Sequence, residues 1–443
     1  MIKKISFLAI ALTFAGATFA QLRETSKCGI NVFETPKTDS VFSGLKVKIG
    51  GAMSLSYSML DHSNSTTTAN GYKYNYASPT ATSLVPLASN FGLPQANLYT
   101  KSNLADGVYL NFELYLASRH HNETWVKGGY LQFDKMPFLP WSFVDKIMEF
   151  TTIKVGQFDV NYGDAHFRRS DGGLTFYNPF MENYIMDEFA TEIGAEADVH
   201  VGDFTLVGAM TNGELSPDLV KADTTVATYK YSNGIHNPAW IGKLAFDKQL
   251  LDNKLRVRAS ASGYYTTGSI KNTLLGGDRT GSNYYGVMSN VAPGTGNAFN
   301  GRYNPGFGDK LGAAMGNLFL KYNITENVAI ETFTTLEQAK GRSMVEKNER
   351  TANQFAQDLI IRFGANENFF IGGRYNTLKA DVAAATPYQI DINRVAVSAG
   401  WYMSKNIMAK IEYVNQKYNG FQTSSIFNNG EFHGLSAQAA IAF

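Results

Sequence analysis

The sequence predicts an all-β fold: a transmembrane antiparallel β-barrel of 16 strands, with 14 and 18 the neighbouring even counts. Three observations predict it. Segments alternate apolar and polar residues for longer than a soluble strand runs. Connections between them are short and long in turn. The 443-residue chain opens like an exported protein, yet after that opening it holds no run of 18 apolar residues that could form a membrane helix.

Met1–Ala20 reads as a secretory signal peptide. Lys3 and Lys4 supply the positive start, Ile5–Phe14 the apolar centre, and Thr18-Phe19-Ala20 a small-x-small cleavage site. The mature chain is expected to begin at Gln21, with residues 21–44 as a periplasmic N-terminal segment and 45–443 as the barrel. Cys28 is the single cysteine, so no internal disulfide forms. Charged residues are 17%, below the roughly 25% of globular chains, while aromatics reach 13%. A net charge of +1 gives no ground for nucleic acid as a partner. A secreted all-β enzyme is the competing class.

The first strand is the clearest. Leu45, Val47, Ile49, Met53, Leu55, Tyr57 and Met59 share one face; Lys46, Lys48, Ala52, Ser54, Ser56 and Ser58 share the other. That alternation holds over about 15 residues, where a soluble strand has about 5–6 and a tilted membrane strand about 9–11. It recurs around 108–116, 192–201, 255–262 and 394–403. Short connections fall at 201–203, 324–327, 365–368 and 404–406. Long ones fall at 60–92, 163–187, 213–237, 269–309, 341–353, 381–391 and 419–430. An even strand count then requires one more strand between Met59 and Asp106, placed at Leu93–Ser102 despite Pro94. With it, 163–187 becomes the third external loop, folded inward.

Two stretches are irregular. The apolar face switches near Gly156-Gln157, which predicts a β-bulge. Phe138, Trp141, Val144, Ile147 and Met148 predict a short amphipathic helix capping the barrel base. Tyr57, Tyr264, Tyr265, Trp401, Tyr402, Tyr413 and Tyr418 read as interface girdles. The chain ends on an alternating strand closing at Phe443.

The candidate site is the stretch GDAHFRRSDGGLTFYNPFMENYIMD, residues 163–187. Asp164, His166, Arg168, Arg169 and Asp171 are its candidate pore-constriction residues. Arg168 and Arg169 can attract anions at a rim, and can serve as salt-bridged stiffeners with Asp164 and Asp171; the two roles are not exclusive, since a pore loop must be tied down to act as a filter. Lys46, Lys48, Lys154, Arg256, Arg258, Arg374 and Arg394, with Glu192 and Glu196, are expected to line the lumen. Seven histidines carry no ligand spacing for a metal. GxSxG, HExxH and P-loop motifs are absent, so neither a cofactor nor catalysis is implied; a Ser/His/Asp set at the rim is the remaining enzymatic reading.

VFETPKTDSVFSGLKVKIGG, LASRHHNETWVKGGYLQFDKMPF and IKVGQFDVNYGDAHFRRSDGGLTFYNPFMENYIMDEFATEIGAE together resemble outer-membrane porins of Bacteroidota, distant relatives of the phosphate-selective porin O/P group. The likeness covers most of residues 30–210. It implies a 16-stranded barrel, a homotrimer, an inward third loop and a basic track that Arg168, Arg169, Arg256 and Arg258 could join. The lumen carboxylates depart from that group, so phosphate specificity is not carried over. The expected function is a passive porin for small hydrophilic solutes or ions, weakly anion-preferring at most. It would sit among outer-membrane lipid in a Gram-negative bacterium. The alternative is a non-conducting barrel with a structural, secretion or adhesion role through its long loops.

Overall fold

The computed structural model describes residues 29–35, 37, 42–66, 82–116, 124–188, 190–215, 225, 227, 231, 236–269, 272–276, 282–290, 301–384 and 386–443. The expected signal peptide lies outside them, as do His120 and His121.

Sixteen antiparallel strands form one closed barrel, each paired with its sequence neighbours and β1 with β16. They are β1 (Lys46–Ser63), β2 (Asn90–Ala105), β3 (Val108–Leu116), β4 (Thr124–Phe133), β5 (Thr151–Asp159), β6 (Thr191–Val201), β7 (Phe204–Thr211) and β8 (Ala239–Leu250). Next come β9 (Leu255–Thr267), β10 (Lys310–Thr325), β11 (Val328–Arg342), β12 (Arg350–Phe363), β13 (Phe369–Val382), β14 (Tyr388–Tyr402), β15 (Ile407–Asn419) and β16 (Gly430–Ala442). The short turns and both strand termini share one end, the periplasmic end in outer-membrane barrels; eight loops share the other. The third loop runs from 160 to 190.

The strand inferred from parity is β2. Its register against β1 shifts between Ser54 and Ser56, where Leu93 and Pro94 together oppose Leu55. The irregularity accommodates a proline that has no N–H to give a ladder.

The bulge expected at Gly156-Gln157 is absent. β5 keeps continuous register with β6 from Thr151↔Val199 to Asp159↔Thr191. The apolar pattern changes because Phe158 and Val160 point inward and are buried there. The bulge lies one strand earlier. Glu113 and Leu114 oppose Gly128 and Val126, leaving Lys127 as the extra residue, buried in the interior.

The expected helix is α1 (Ser142–Met148) in the turn between β4 and β5. It does not cap the base with its apolar residues. Phe138, Trp141, Phe143 and Ile147 are exposed, and only Met148 of the helix is buried.

The outer wall is apolar: Leu359, Ile361, Val395, Val397 and Ile411 all face outward. Phe363, Phe369 and Trp401 stack in a row near the short-turn end. Of the expected girdle, Tyr265, Trp401 and Tyr413 are exposed, whereas Tyr264, Tyr402 and Tyr418 are buried inside. Sequence neighbours on a strand point to opposite faces, so the pairs 264/265 and 401/402 had to split.

The interior is not uniformly wet. Phe180, Met181, Ile185 and Met186 of the third loop, with Leu274, Leu275, Val287 and Met288 of the fifth, join Leu378, Ile390, Ile392, Val414 and Phe432 in one buried apolar cluster. Ala209, Ile241, Tyr264, Leu311, Ala339 and Ala352 belong to it too, so the loops entering the barrel pack an apolar core against the strands from β7 to β16.

Candidate functional site

The third loop carries little regular structure, so its backbone groups need partners within the barrel. Inward side chains of the strands supply them. The N–H groups of Met181, Ile185 and Met186 donate to Glu412, Asn376 and Gln354 at 2.8, 2.7 and 2.8 Å. In the other direction, Arg374 donates to the Glu182 carbonyl at 2.8 Å and Arg394 to the Asn183 carbonyl at 2.7 Å. Lys410 reaches the carbonyls of Asn178 and Phe180. Strand bases that would line an open pore therefore moor the loop instead.

All four charged residues of the predicted constriction are buried. Asp164 takes a two-pronged bond from Arg258, 2.9 Å on each oxygen, and an ion pair from Lys243 at 2.5 Å. Arg169 pairs with Asp187 at 2.7 Å and Asp171 at 3.2 Å, and Arg302 closes on Asp187 at 2.8 Å. Asp171 also accepts from Lys127. Arg168 lies 3.8 Å from Glu331, with its guanidinium over the ring of Phe333. Burial pushes the Asp187 carboxyl upward, but Arg169 and Arg302 outweigh it and hold it below the usual carboxylate range. His166 is half-buried, its ring centroid 3.9 Å from that of Phe167.

The other expected lumen residues are inward and mostly matched. Lys154 faces Glu196 across β5 and β6, Arg374 faces Asp358, and Arg256 pairs with Asp247 at 2.6 Å. Glu192 accepts from Tyr264 at 2.8 Å and from Thr211. Arg394 donates to Gln416 at 2.6 Å. Lys48 is half-buried, and Lys46 is exposed at the short-turn end. Arg168, Arg169, Arg256 and Arg258 do not form a free basic track, because each stands beside a carboxylate.

Sequence reasoning missed the N-terminal segment. Its residues 29–35, expected in the periplasm, run inside the barrel. Phe33 is buried between Phe167 of the third loop and Phe319 of β10, at centroid distances of 5.8 and 5.6 Å. Glu34 pairs with Lys243 at 3.0 Å and Arg258 at 2.8 Å, the same two bases that hold Asp164. Asn31 donates to Glu331 at 2.7 Å. Lys127, Lys243, Arg302 and Asp187 were also missed. The signal available was a charge count: residues 163–187 carry four acids, Asp164, Asp171, Glu182 and Asp187, against two bases, Arg168 and Arg169, and acids in excess need bases from elsewhere once buried.

A cavity remains between this assembly and the β2–β6 wall. It is lined by Glu34, Tyr99, Glu113, Tyr130, Lys154, Phe158, Asp159, His166, Phe167 and Asp198, among others.

The outward apolar wall, the girdle and the loop asymmetry define an outer-membrane β-barrel of a Gram-negative bacterium. Solved structures are similar to the chain to differing degrees. The outer membrane channel DcaP of Acinetobacter baumannii aligns over 90% of this chain and 98% of its own, with 10% identity and a TM-score of 0.50. An anion-selective porin from Comamonas acidovorans aligns over 90% of this chain and 100% of its own, with 11% identity and a TM-score of 0.49. OmpT of Vibrio cholerae, in trimer form, aligns over 90% and 100%, with 8% identity and a TM-score of 0.49. No protein-family model and no curated protein matches the chain.

Proposed function

We propose that this barrel is a passive porin whose route for small hydrophilic solutes or ions follows the β2–β6 wall. The observation that carries the reading is a cavity of mixed lining, rings beside Glu113, Lys154 and Asp198, next to an inward third loop clamped by buried ion pairs. A clamped loop holds a fixed bore, which is what exclusion by diameter requires. Asp164, Arg168, Arg169 and Asp171 set that bore by fixing the loop's shape, and His166 faces the passage. The anion preference suggested by counting bases is weakened here, since those bases are matched to carboxylates or to loop carbonyls. Affinity to Bacteroidota porins and the phosphate-selective group, and a homotrimeric assembly, belong to this same reading; catalysis is not needed for it.

The test is single-channel conductance of the purified barrel in a planar bilayer, with reversal potential in a salt gradient. Stable stepwise openings support the porin. Their absence favours the second reading, a non-conducting barrel. That reading draws on the buried apolar cluster around Ile185, Met186, Ile390 and Ile392, which occupies the lumen against the strands from β7 to β16.

A further inference from the structure

The turn between β4 and β5 departs from the others at its end of the barrel. Turns 106–107, 202–203 and 326–327 do no more than reverse the chain, whereas 134–150 carries α1. Both ends of this excursion are fastened. The Asp134 N–H donates to the Gly107 carbonyl at 2.7 Å, and the Phe150 carbonyl accepts from the His200 N–H at 2.8 Å. Lys37 donates to the carbonyls of Asp134 and Met148, which ties the end of α1 to the start of the turn.

At about 100° per residue, α1 turns three faces to three surroundings. Val144 and Met148, four apart, are half-buried and buried, so they face the barrel. Asp145 and Glu149, also four apart, are exposed and polar. Phe143 and Ile147 make the third face and are 59% and 46% exposed. Phe138 and Trp141, just ahead of the helix, are 60% and 52% exposed. Trp141 and Phe143 stack on each other, 5.9 Å between centroids. A fastened segment that holds such side chains away from its own chain is shaped to meet something else.

Its neighbour on the wall identifies the partner. Leu131 lies opposite Val155, and Phe133 opposite Ile153. Val155 is exposed on the outer face, and alternation places Leu131, Phe133 and Ile153 on that face too. Phe138 meets Phe133 edge to face, 5.9 Å between centroids. The exposed cluster therefore continues the lipid-facing wall past the end of β4, on the short-turn side. Charge gives no other pull: within 137–150, Asp145 and Glu149 outnumber Lys146, so the contact is made by apolar area and not by attraction to anionic headgroups.

We propose that residues 137–150 are an interfacial anchor seated in the phospholipid leaflet on the periplasmic side of the outer membrane. Phe138, Trp141, Phe143 and Ile147 enter the boundary between headgroups and acyl chains, a level that suits an indole ring with its N–H. Asp145 and Glu149 stay in water. The anchor rests on the membrane barrel alone, whether or not the lumen conducts.

The experiment is depth-dependent quenching of Trp141 in the folded full chain, reconstituted into phosphatidylcholine vesicles. Trp125, Trp240 and Trp401 are replaced by Phe, so that Trp141 alone emits. An interfacial helix lies about 5–10 Å into the headgroup boundary, so bromines near the headgroup end of the acyl chains are expected to quench at least about twofold more than bromines near the chain ends. Iodide in the water is expected to quench little. Quenching by iodide with no effect of either bromolipid overturns the proposal and leaves the face to a periplasmic protein or a second copy of the chain. Equal quenching by shallow and deep bromines overturns it as well, because the ring would then lie along the barrel wall. Heat-dependent electrophoretic mobility checks folding. If the triple variant does not fold, the difference in emission between the unaltered and Trp141→Phe barrels gives the same reading.

Discussion

Replacing Phe33 and Glu34 together by alanine is expected to release residues 29–35 from the lumen while leaving the barrel folded. Phe33 is 2% exposed, and truncating so buried a ring costs about 3–5 kcal/mol. Removing Glu34 leaves Lys243 with Asp164, and Arg258 with Asp164 and Asp247; breaking a buried pair from one side costs about 3–5 kcal/mol. The two losses are neighbours and do not simply add. Taking one alone, about 4 kcal/mol, the docked-to-released ratio falls about a thousandfold. Ordering each residue of the segment already costs about 1–2 kcal/mol, so its docking has little reserve. Cys28, the single cysteine, stands just before the segment and carries a fluorophore without ambiguity. Release is expected to raise quenching of that fluorophore by acrylamide and to enlarge the single-channel step. A folded double variant with unchanged quenching and unchanged step would refute the reasoning, because the segment's hold would then lie elsewhere.

Three further outcomes follow from the same contacts. Burial pushes the Glu34 carboxyl up, but Lys243 and Arg258 outweigh it and hold it down at about 2. A carboxyl depressed on folding contributes fully above its ordinary value of 4.5 and loses that contribution progressively as pH falls from there to the folded value. Quenching at Cys28 should therefore be the same at pH 7 and pH 6 and rise steadily as pH falls from about 4.5 toward about 2. Arg169→Ala strips Asp187 and Asp171 of a shared partner; at a local cost of about 3–5 kcal/mol, the third loop becomes cleavable by protease in the folded barrel. Gly156→Ala places a Cβ 2.4 Å from the Gly129 carbonyl oxygen at φ +138°. Strain of about 1–3 kcal/mol plus that clash lowers the temperature at which the barrel loses its compact electrophoretic form.

What the sequence makes legible follows from what strands repeat. β1 shows its two faces over its whole length because one side meets lipid and the other does not. β2 is nearly patternless, and only the parity of a closed ring requires it. The third loop is recognisable by its break with alternation, but its partners are not. Lys127 hides in a strand whose bulge breaks the period, and Lys243 looks like any inward base. The insertion of Phe33 and Glu34 left no periodic mark, since an irregular segment has no period to read. Ile390 falls in the expected 381–391 connection, yet it belongs to β14, where it and Ile392 turn inward to join Ile185 and Met186.

The seam of the ring bears on how such a molecule comes to exist. Strands β1 and β16 close it, and Phe443 exchanges two backbone hydrogen bonds of 3.0 Å with Gly51. Sealing therefore waits for β16 to meet β1, the strands most distant in sequence and the slowest to find one another. In the closed ring the strand bases Lys243, Arg258, Arg374 and Arg394 hold groups of the third loop and the N-terminal segment. The vessel is sealed around its contents, and wall and filling assemble as one event.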